Sequence, residues 1–185
     1  MKFIKLYLII FICLIHSVKV DSKQNLINEL KDGGNLIFIR HAYAPGSGDP
    51  AGFDINNCST QRNLSNKGIE QAKKIGSFFT KKKISVNKIY SSEWCRCKET
   101  ASVAFQNYET KNFLNSFFSE KYIKNKNLQI IDLKEFIKNW NGKQNLVFIT
   151  HYVVIFEILN YGAKSGEIII TNKDFKVIDT FDIEY

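Results

Sequence analysis

The sequence predicts an α/β protein, a three-layer α/β/α sandwich with a mostly parallel sheet, and two observations lead to this prediction. Short continuous apolar runs, such as residues 36–39, have the length and composition of strands that are buried on both faces. These runs alternate with longer segments in which apolar residues recur at helical spacing. Strands that alternate with helices are typical of a parallel sheet that helices cover on both faces.

The composition is that of a globular protein with one well-buried core. The chain has 185 residues, of which 44% are hydrophobic and 24% are charged, with ten glycines and two prolines. Disordered, collagen-like and solenoid proteins differ strongly from these values. The formal charge of +8 is spread over the chain, and no nucleic-acid-binding motif is present. We therefore expect an anionic partner that is not a nucleic acid.

Residues 1–20 have the layout of a secretory signal peptide. Lys2 and Lys5 precede an uninterrupted apolar run over residues 6–15, which His16 and Ser17 follow. This run is too short to cross a bilayer core, which needs about 20 apolar residues in a helix. We therefore expect a secreted or periplasmic protein without a permanent membrane span. The cleavage site stays open, because no small-x-small triplet is present.

Residues 21–185 are expected to form a single domain, because no linker divides them. The one loop rich in Gly, Pro, Ser and Asn, residues 43–63, lies between a strand signal and a helix signal. The next helix is predicted to begin at Ser65, a favourable N-cap, with Ile69, Ala72 and Phe79 on one side.

The remaining elements continue the alternation of strands and helices. The sequence predicts a strand over residues 84–91, helices over 93–105 and 133–140, a strand over 146–150, a helix over 153–161, and a hairpin of strands 167–171 and 176–183. The Asn- and Lys-rich stretch 107–127 is expected to be helical in part at most.

The most informative feature is a near-repeat of two strand sequences. Asn-Leu-Ile-Phe-Ile-Arg-His occupies positions 35–41, and Asn-Leu-Val-Phe-Ile-Thr-His occupies positions 145–151. Each predicted strand ends in a histidine, His41 or His151. Because ligands of open α/β sheets bind outside the carboxyl ends of the strands, two such strands side by side would place both imidazoles at one site. Alternatively, each histidine only ends its strand through a backbone hydrogen bond.

The chain has only three arginines, Arg40, Arg62 and Arg96, and each lies beside a strand end or a helix start. Arg96 falls in the first turn of the predicted helix 93–105. Helix N-termini and the fork of a guanidinium group both favour phosphate. We therefore expect the three side chains to converge on one anion; the alternative is a structural role for each.

Two histidines and three arginines together indicate covalent phosphoryl transfer. A neutral imidazole attacks phosphorus through one ring nitrogen when the other nitrogen donates to a backbone carbonyl. Guanidinium groups neutralise the equatorial oxygens, so positioning and charge do most of the catalytic work. This chemistry requires no metal and no cofactor.

The motifs resemble those of the histidine phosphatase superfamily, which is also called phosphoglycerate-mutase-like. The resemblance spans residues 35–183 and is carried by Arg40-His41-Ala42, with Ala in place of the family's Gly, by the Leu-Ser-x-x-Gly-x-x-Gln-Ala segment at 64–72, by Ser91-Ser92 with Arg96 and Glu99-Thr100-Ala101, and by Thr150-His151.

This resemblance implies a phosphoglycerate-mutase-like fold and a set of site residues. His41 would be the phosphoacceptor, with Arg40, Arg96 and His151 as the other catalytic residues of the phosphate pocket. We expect Arg62 and Glu93 to bind the substrate. Residues 45–50 and 58–64 are similar to a small exported bacterial branch of the family.

One departure from the family pattern concerns the proton donor. Many members carry a general-acid Glu after a Leu beyond the second arginine block, and here Leu114-Asn115-Ser116 puts Ser116 at that position. Asp49, Asp54 and Glu93 are the available carboxylates, and each would either orient an arginine or donate a proton. Without a donor, substrates with good leaving groups, such as phosphohistidine or acyl phosphates, would be favoured.

Three cysteines, Cys58, Cys95 and Cys97, would remain after signal cleavage. Cys95 and Cys97 point in different directions on one helix, so at most one of them reaches Cys58. Such a disulfide would hold the loop 43–63 against the Arg96 helix and suits an oxidising compartment. The spacing of the cysteines and histidines does not form a four-ligand zinc set.

The sequence therefore predicts an exported phosphatase that hydrolyses a phosphomonoester through a phosphohistidine on His41. Its partner would be a phosphorylated small molecule or a phosphate group of the cell envelope. The alternative is a module of the same fold that binds a phosphorylated ligand and has lost turnover.

Overall fold

A six-stranded sheet runs through residues 24–185, the part of the chain that the computed structural model describes. Its strands are β1 (Leu36–Arg40), β2 (Lys88–Ser91), β3 (Glu109–Thr110), β4 (Leu146–Thr150), β5 (Ile168–Thr171) and β6 (Val177–Phe181), in the order β3-β2-β4-β1-β5-β6. The pairs β1–β4, β4–β2 and β2–β3 are parallel. The pairs β1–β5 and β5–β6 are antiparallel. The α/β prediction with a mostly parallel sheet is confirmed. The predicted signal peptide, residues 1–20, lies outside the described residues.

Helices cover both faces of this sheet. They are α1 (residues 24–32), α2 (Asn66–Lys82), α3 (Cys95–Phe105), α4 (Glu120–Ile123), α5 (Lys126–Lys138) and α6 (Tyr152–Leu159). One apolar cluster joins α1, α2 and α3 to residues such as Ile37 and Val147 on one face of the strands. A second cluster joins α5 and α6 to their neighbours Phe38 and Phe148 on the other face. This alternation along β1 and β4 produces the three layers.

Helix α2 follows the sequence prediction closely. The hydroxyl of Ser65 accepts a hydrogen bond from the backbone N–H of Gly68 at 3.2 Å, as an N-cap does. Lys83 ends the helix in the left-handed conformation, with a φ of 55°. Gly76 faces the backbone carbonyl of Ala104 so closely that a Cβ atom would not fit. The glycine therefore allows α2 and α3 to pack at short range.

Several predicted element boundaries are wrong. β2 begins at Lys88 rather than at residue 84, because the buried Ile84 bonds back to Phe79 and closes the end of α2. Helix α5 begins at Lys126 rather than at residue 133, and its exposed face carries Leu128. That exposed apolar residue hides the amphipathic period from which a helix start is read.

Two helix predictions need smaller corrections, and one helix was not predicted. Helix α3 begins at Cys95 rather than at residue 93, and α6 spans Tyr152–Leu159 rather than residues 153–161. The sequence analysis predicted no element over residues 24–32, which form α1. No helix within residues 24–185 is long and apolar enough to span a bilayer.

The two halves of the near-repeat lie side by side. β1 pairs with β4 in parallel, with Leu36 opposite Leu146 and Arg40 opposite Thr150. Beyond the strand ends, the backbone N–H of His41 still donates to the carbonyl of Thr150 at 2.9 Å. His41 and His151 therefore leave the sheet at the same edge, as the sequence predicts.

Asn145, at the start of the second repeat, holds this register from the opposite edge. Its Oδ1 accepts from the backbone N–H and the side-chain amide of Asn35, both at 3.2 Å. Its Nδ2 donates to the carbonyl of Leu30 at 2.6 Å and to that of Ser85 at 3.1 Å. One buried amide thus ties both repeats to α1 and to the segment before β2.

We expect Asn145→Ala to lower the free energy of unfolding by about 2–4 kcal/mol, because it leaves the buried backbone N–H of Asn35 and the buried carbonyl of Leu30 without this partner. Urea unfolding of the variant and the wild type measures this loss. Asn139→Ala, at an exposed position after α5, is the matched control and should cost much less. Equal losses in the two variants would contradict the role assigned to Asn145.

Candidate active site

A cavity of about 660 Å³ opens at the sheet edge where β1 and β4 end. Five residues predicted from the sequence line it together, and they are His41, His151, Arg40, Arg62 and Arg96. The walls come from the loop 43–63, from the start of α3, and from the segment between α3 and α5. The structure therefore brings the two histidines and the three arginines to one place.

His41 is buried, with 2% of its surface exposed. Its Nδ1 lies 2.9 Å from the backbone carbonyl oxygen of Ala42. Because a carbonyl only accepts, Nδ1 carries the ring proton and Nε2 keeps a lone pair. Burial lowers the pKa of His41 well below its usual value of 6.5, and the positive charge of Arg96 lowers it further. His41 is thus a neutral imidazole at neutral pH.

His151 is the second buried imidazole, and its ring centroid lies 5.5 Å from that of His41. Its Nδ1 is 3.4 Å from Nη2 of Arg96, and its Nε2 is 2.8 Å from the hydroxyl oxygen of Ser92. A guanidinium only donates, so we assign the proton to Nε2, which donates to Ser92. Burial, and then the charge of Arg96, lowers the pKa of His151 well below its usual value.

Arg96 is buried at the start of α3 and makes a two-point ion pair with Asp49. Its Nη1 donates to Oδ1 at 2.7 Å, and its Nη2 donates to Oδ2 at 3.2 Å. Nη1 also approaches the carbonyl oxygen of Arg62 at 3.4 Å. The Nε–H of Arg96 is buried without a hydrogen-bond partner among the described residues. No described protein group uses this donor, and Arg96 lines the cavity.

Arg40 offers a second open donor. Its Nη1 donates to the carbonyl oxygen of Ala163 at 2.8 Å, and its guanidinium carbon lies 5.5 Å from the ring centroid of Tyr152. Its Nε–H is buried and finds no partner within residues 24–185. The contacts with Ala163 and Tyr152 hold the group at the cavity and leave that donor unused.

Arg62 lines the cavity, but most of its contacts are with the loop itself. Its Nε donates to the carbonyl of Gly48 at 2.7 Å, and its Nη1 donates to the carbonyl of Ala44. Its side chain therefore braces the loop 43–63. Its positive charge still acts on the cavity, because it contributes to the lowered pKa of His41.

Asp49 is the only carboxylate that lines the cavity within the described residues. Besides Arg96, its Oδ2 accepts from the indole Nε1 of Trp94 at 3.0 Å, and its Oδ1 accepts from the backbone N–H of Arg62 at 3.2 Å. Burial raises the pKa of Asp49, but the hydrogen bond and charge of Arg96 outweigh burial and leave that pKa below its usual value. Asp49 is therefore ionised at rest.

The other predicted carboxylates lie elsewhere. Glu93, which the sequence assigned to substrate binding, does not line the cavity; its carboxylate accepts from the side-chain amide of Asn115 at 2.6 Å. Asp54 is exposed and accepts from the backbone N–H of Asn56 at 2.9 Å. Ser116 does line the cavity, where its hydroxyl accepts from the backbone N–H of Phe118 at 3.3 Å.

Sequence reasoning missed the aromatic wall of the cavity. This wall consists of Phe53, Trp94, Phe118, Tyr122 and Tyr152. Phe118 is 64% exposed, although it is apolar and lines a cavity. Most of these residues lie in loops or in the stretch 107–127, where no periodicity marks a face. Tyr152 was the one with a signal, because it directly follows His151.

A disulfide joins Cys58 to Cys95, and Cys97 is a free, buried thiol. The backbone N–H of Cys95 also donates to Oε1 of Gln61 at 2.9 Å, so the loop supplies the cap at the start of α3. These two links hold the loop 43–63 beside Arg96. Burial raises the pKa of Cys97 to about 12, so its thiol is protonated although it lies 3.5 Å from Nε2 of His151.

No group of three His, Cys, Asp or Glu side chains within residues 24–185 is arranged to hold a metal ion. The donors at the cavity are mainly guanidinium and imidazole groups. Such a set binds an anion, because guanidinium has no lone pair to give to a metal.

Comparisons with known proteins agree with this geometry. The family model of the histidine phosphatase superfamily (branch 1) matches residues 36–122. No curated protein matches the chain.

Three solved structures illustrate the similarity in fold. The protein histidine phosphatase SixA, complexed with tungstate, is 13% identical with a TM-score of 0.56, over 79% of this chain and 95% of that one. The alpha-ribazole phosphatase from Shigella flexneri is 15% identical with a TM-score of 0.55, over 76% and 92%. The phosphoglycerate mutase from Thermus thermophilus is 14% identical with a TM-score of 0.56, over 81% and 99%.

At these identities the solved structures show the fold, which is the phosphoglycerate-mutase-like fold that the sequence predicts. The family model adds the sequence pattern around Arg40, His41 and Arg96, which lies within its matched range. Residues 36–122 therefore carry the sequence pattern of the histidine phosphatase superfamily.

Proposed function

We propose that this protein is a metal-independent phosphomonoesterase that forms a phosphohistidine on His41 and hydrolyses it with water. The observation that carries the proposal is the state of His41, whose Nδ1 donates to Ala42 and whose Nε2 keeps a lone pair. A neutral imidazole with one free nitrogen is the form that attacks phosphorus.

The charges around His41 support phosphoryl transfer. The unpaired Nε–H donors of Arg40 and Arg96 would bind the equatorial oxygens of the phosphoryl group. These hydrogen bonds would stabilise the negative charge on those oxygens in the transition state. His41 Nε2 attacks phosphorus, the bond to the leaving oxygen breaks, and water then displaces the imidazole. The match of residues 36–122 to the family model and the phosphatase names of two of the structural neighbours support hydrolysis as the overall reaction.

We also propose that the protein is exported and acts on a phosphorylated small molecule or on a phosphate group of the cell envelope. The signal-peptide pattern of residues 1–20 and the disulfide between Cys58 and Cys95 support export, since disulfides persist in oxidising compartments. The cavity volume of about 660 Å³ and its aromatic wall leave room for a sizeable leaving group.

The first prediction of this proposal concerns the nucleophile. Hydrolysis of an aryl phosphate in the presence of a chelator should fall by about 10³-fold or more in His41→Ala, because the covalent step needs the imidazole. The exposed Asn139→Ala variant is the control and should keep wild-type activity. Activity that survives in His41→Ala would exclude the proposal. An inactive wild type that binds vanadate would favour the phosphate-binding module instead.

The second prediction concerns stability and pH. The unfolded chain protonates His41 and His151 near pH 6.5, whereas the folded chain keeps both neutral, so the free energy of unfolding falls as pH drops below 6.5. Each histidine contributes up to about 1.4 kcal/mol per pH unit in this window. Urea unfolding between pH 7.5 and 5.5 should show a smaller pH dependence in His151→Gln. An unchanged dependence would mean that the pKa of His151 is the same in the folded and the unfolded chain.

The third prediction concerns the thiols. Protein from the exported fraction should lack the signal segment and expose one reactive thiol, Cys97, only after denaturation, because that thiol is buried. Alkylation followed by intact-mass analysis measures the count. Reduction in denaturant should raise it to three, as Cys58 and Cys95 are released. Three reactive thiols without reductant, or a retained signal segment, would contradict the proposed location.

A further inference from the structure

We propose that Asp49 carries the proton of this reaction, as the acid that protonates the leaving group and the base that activates water. The inference rests on the proposed function, because it assumes that phosphoryl transfer to His41 takes place. It gives the cavity a residue for the step that Ser116 cannot perform.

The chemistry requires a proton donor whenever the leaving group is an ordinary alcohol. An alkoxide leaves phosphorus slowly unless it is protonated as the bond breaks, and a positioned acid contributes about 10²–10⁴-fold to such a step. An aryl or acyl leaving group is far less basic and leaves without this help. An active site with an acid is thus distinguished from one without it by how strongly kcat/KM depends on the basicity of the leaving group.

Position excludes the other candidates. Glu93 bonds to Asn115 away from the cavity, and Asp54 is exposed. Both ring nitrogens of His151 already have partners, Arg96 and Ser92. Asp49 is the one carboxylate that lines the cavity within residues 24–185.

Three further titratable side chains, Lys121, Tyr122 and Tyr152, line the cavity. Lys121 and Tyr152 are exposed to solvent, and the ring of Tyr122 packs edge-on against that of Trp94. The arginine donors that would seat the phosphoryl group lie buried at the floor. Asp49 forms an ion pair with Arg96, one of these two arginines.

The carboxylate of Asp49 is held at the floor by several contacts. Arg96 binds both of its oxygens, and the indole of Trp94 and the backbone N–H of Arg62 bind one each. Gly48, the residue before it, has a φ of 67°, a backbone conformation that residues with a side chain rarely adopt. The disulfide from Cys58 to Cys95 ties the same loop to α3.

Substrate binding changes the charge around Asp49. At rest the pair with Arg96 keeps the carboxylate ionised, and the charge of Arg62 also interacts with Asp49. A phosphoryl dianion on Arg96 would compete for the same guanidinium and repel the carboxylate, and both effects favour its protonated form. The other charged or titratable groups that line the cavity are Arg40, His41, His151, Lys121, Tyr122 and Tyr152.

The proton and charge balance closes over two steps. First, His41 Nε2 bonds to phosphorus, the P–O bond to the leaving group breaks, and protonated Asp49 gives its proton to the leaving oxygen. Second, a water oxygen bonds to phosphorus, the P–N bond breaks, and the Asp49 carboxylate takes one water proton. The products are an alcohol, hydrogen phosphate, neutral His41 and protonated Asp49, as at the start of the first step.

A series of phosphomonoesters with leaving groups from nitrophenol to simple alcohols tests the inference. In Asp49→Asn, kcat/KM should fall by about 10²-fold or more for alkyl phosphates but by less than about tenfold for nitrophenyl phosphate. Phosphohistidine should accumulate from nitrophenyl phosphate in this variant, because the base of the second step is missing. Asp49→Glu should keep part of the kcat/KM for alkyl phosphates that Asp49→Asn loses. Asp54→Asn, on the same loop, is the matched control and should match the wild type.

Two results would overturn the inference alone. If kcat/KM of Asp49→Asn fell equally for all the phosphomonoesters, Asp49 would only orient Arg96. If kcat/KM rose equally for all of them, Asp49 would only compete with phosphate for Arg96. If wild-type protein forms no phosphohistidine, the proposed function fails together with the inference.

A measurement on the wild type covers the case in which Asp49→Asn does not fold. With an acid in place, kcat/KM should depend weakly on the basicity of the leaving group. A steep dependence in the wild-type protein overturns the inference without any variant.

Discussion

The parallel pairing of β1 with β4 is the interaction on which the rest of the site depends. Each strand carries nearly the same sequence, and the pairing sets Leu36 against Leu146 and ends with His41 and His151 leaving the same edge. A slip by one residue would reverse the faces of the apolar side chains, so both core clusters resist it. The packing of the two layers therefore determines the distance between the two imidazoles.

The burial of positive charge is the second constraint on the site, and groups of the loop 43–63 compensate for it. Three guanidinium groups near two imidazoles repel one another and lose hydration. Asp49 supplies a carboxylate to Arg96, and backbone carbonyls of the loop accept from Arg62. The two imidazoles respond by staying neutral. The site thus keeps a net preference for an anion.

Much of this arrangement could be predicted from the sequence, because it depends on short-range patterns. Buried strands and a good N-cap at Ser65 are local signals. The repeated strand sequence predicts that His41 and His151 lie together beyond the strand ends. What could not be predicted depends on contacts across the chain. Leu128 and Phe118 are apolar yet exposed, so they blur the helical period around α4 and α5. Asp49 and Glu93 look alike as sequence, and only the loop geometry separates them.

The disulfide between Cys58 and Cys95 has a consequence for the order in which the protein matures. It closes a separation of 37 residues, and a link of that length removes loop entropy worth about 4 kcal/mol from the unfolded chain. Before oxidation, noncovalent contacts alone hold the segment bearing Asp49 against α3, chiefly its ion pair with Arg96. Oxidation of the two thiols then adds a covalent link between the loop 43–63 and α3, which a reducing compartment would not provide.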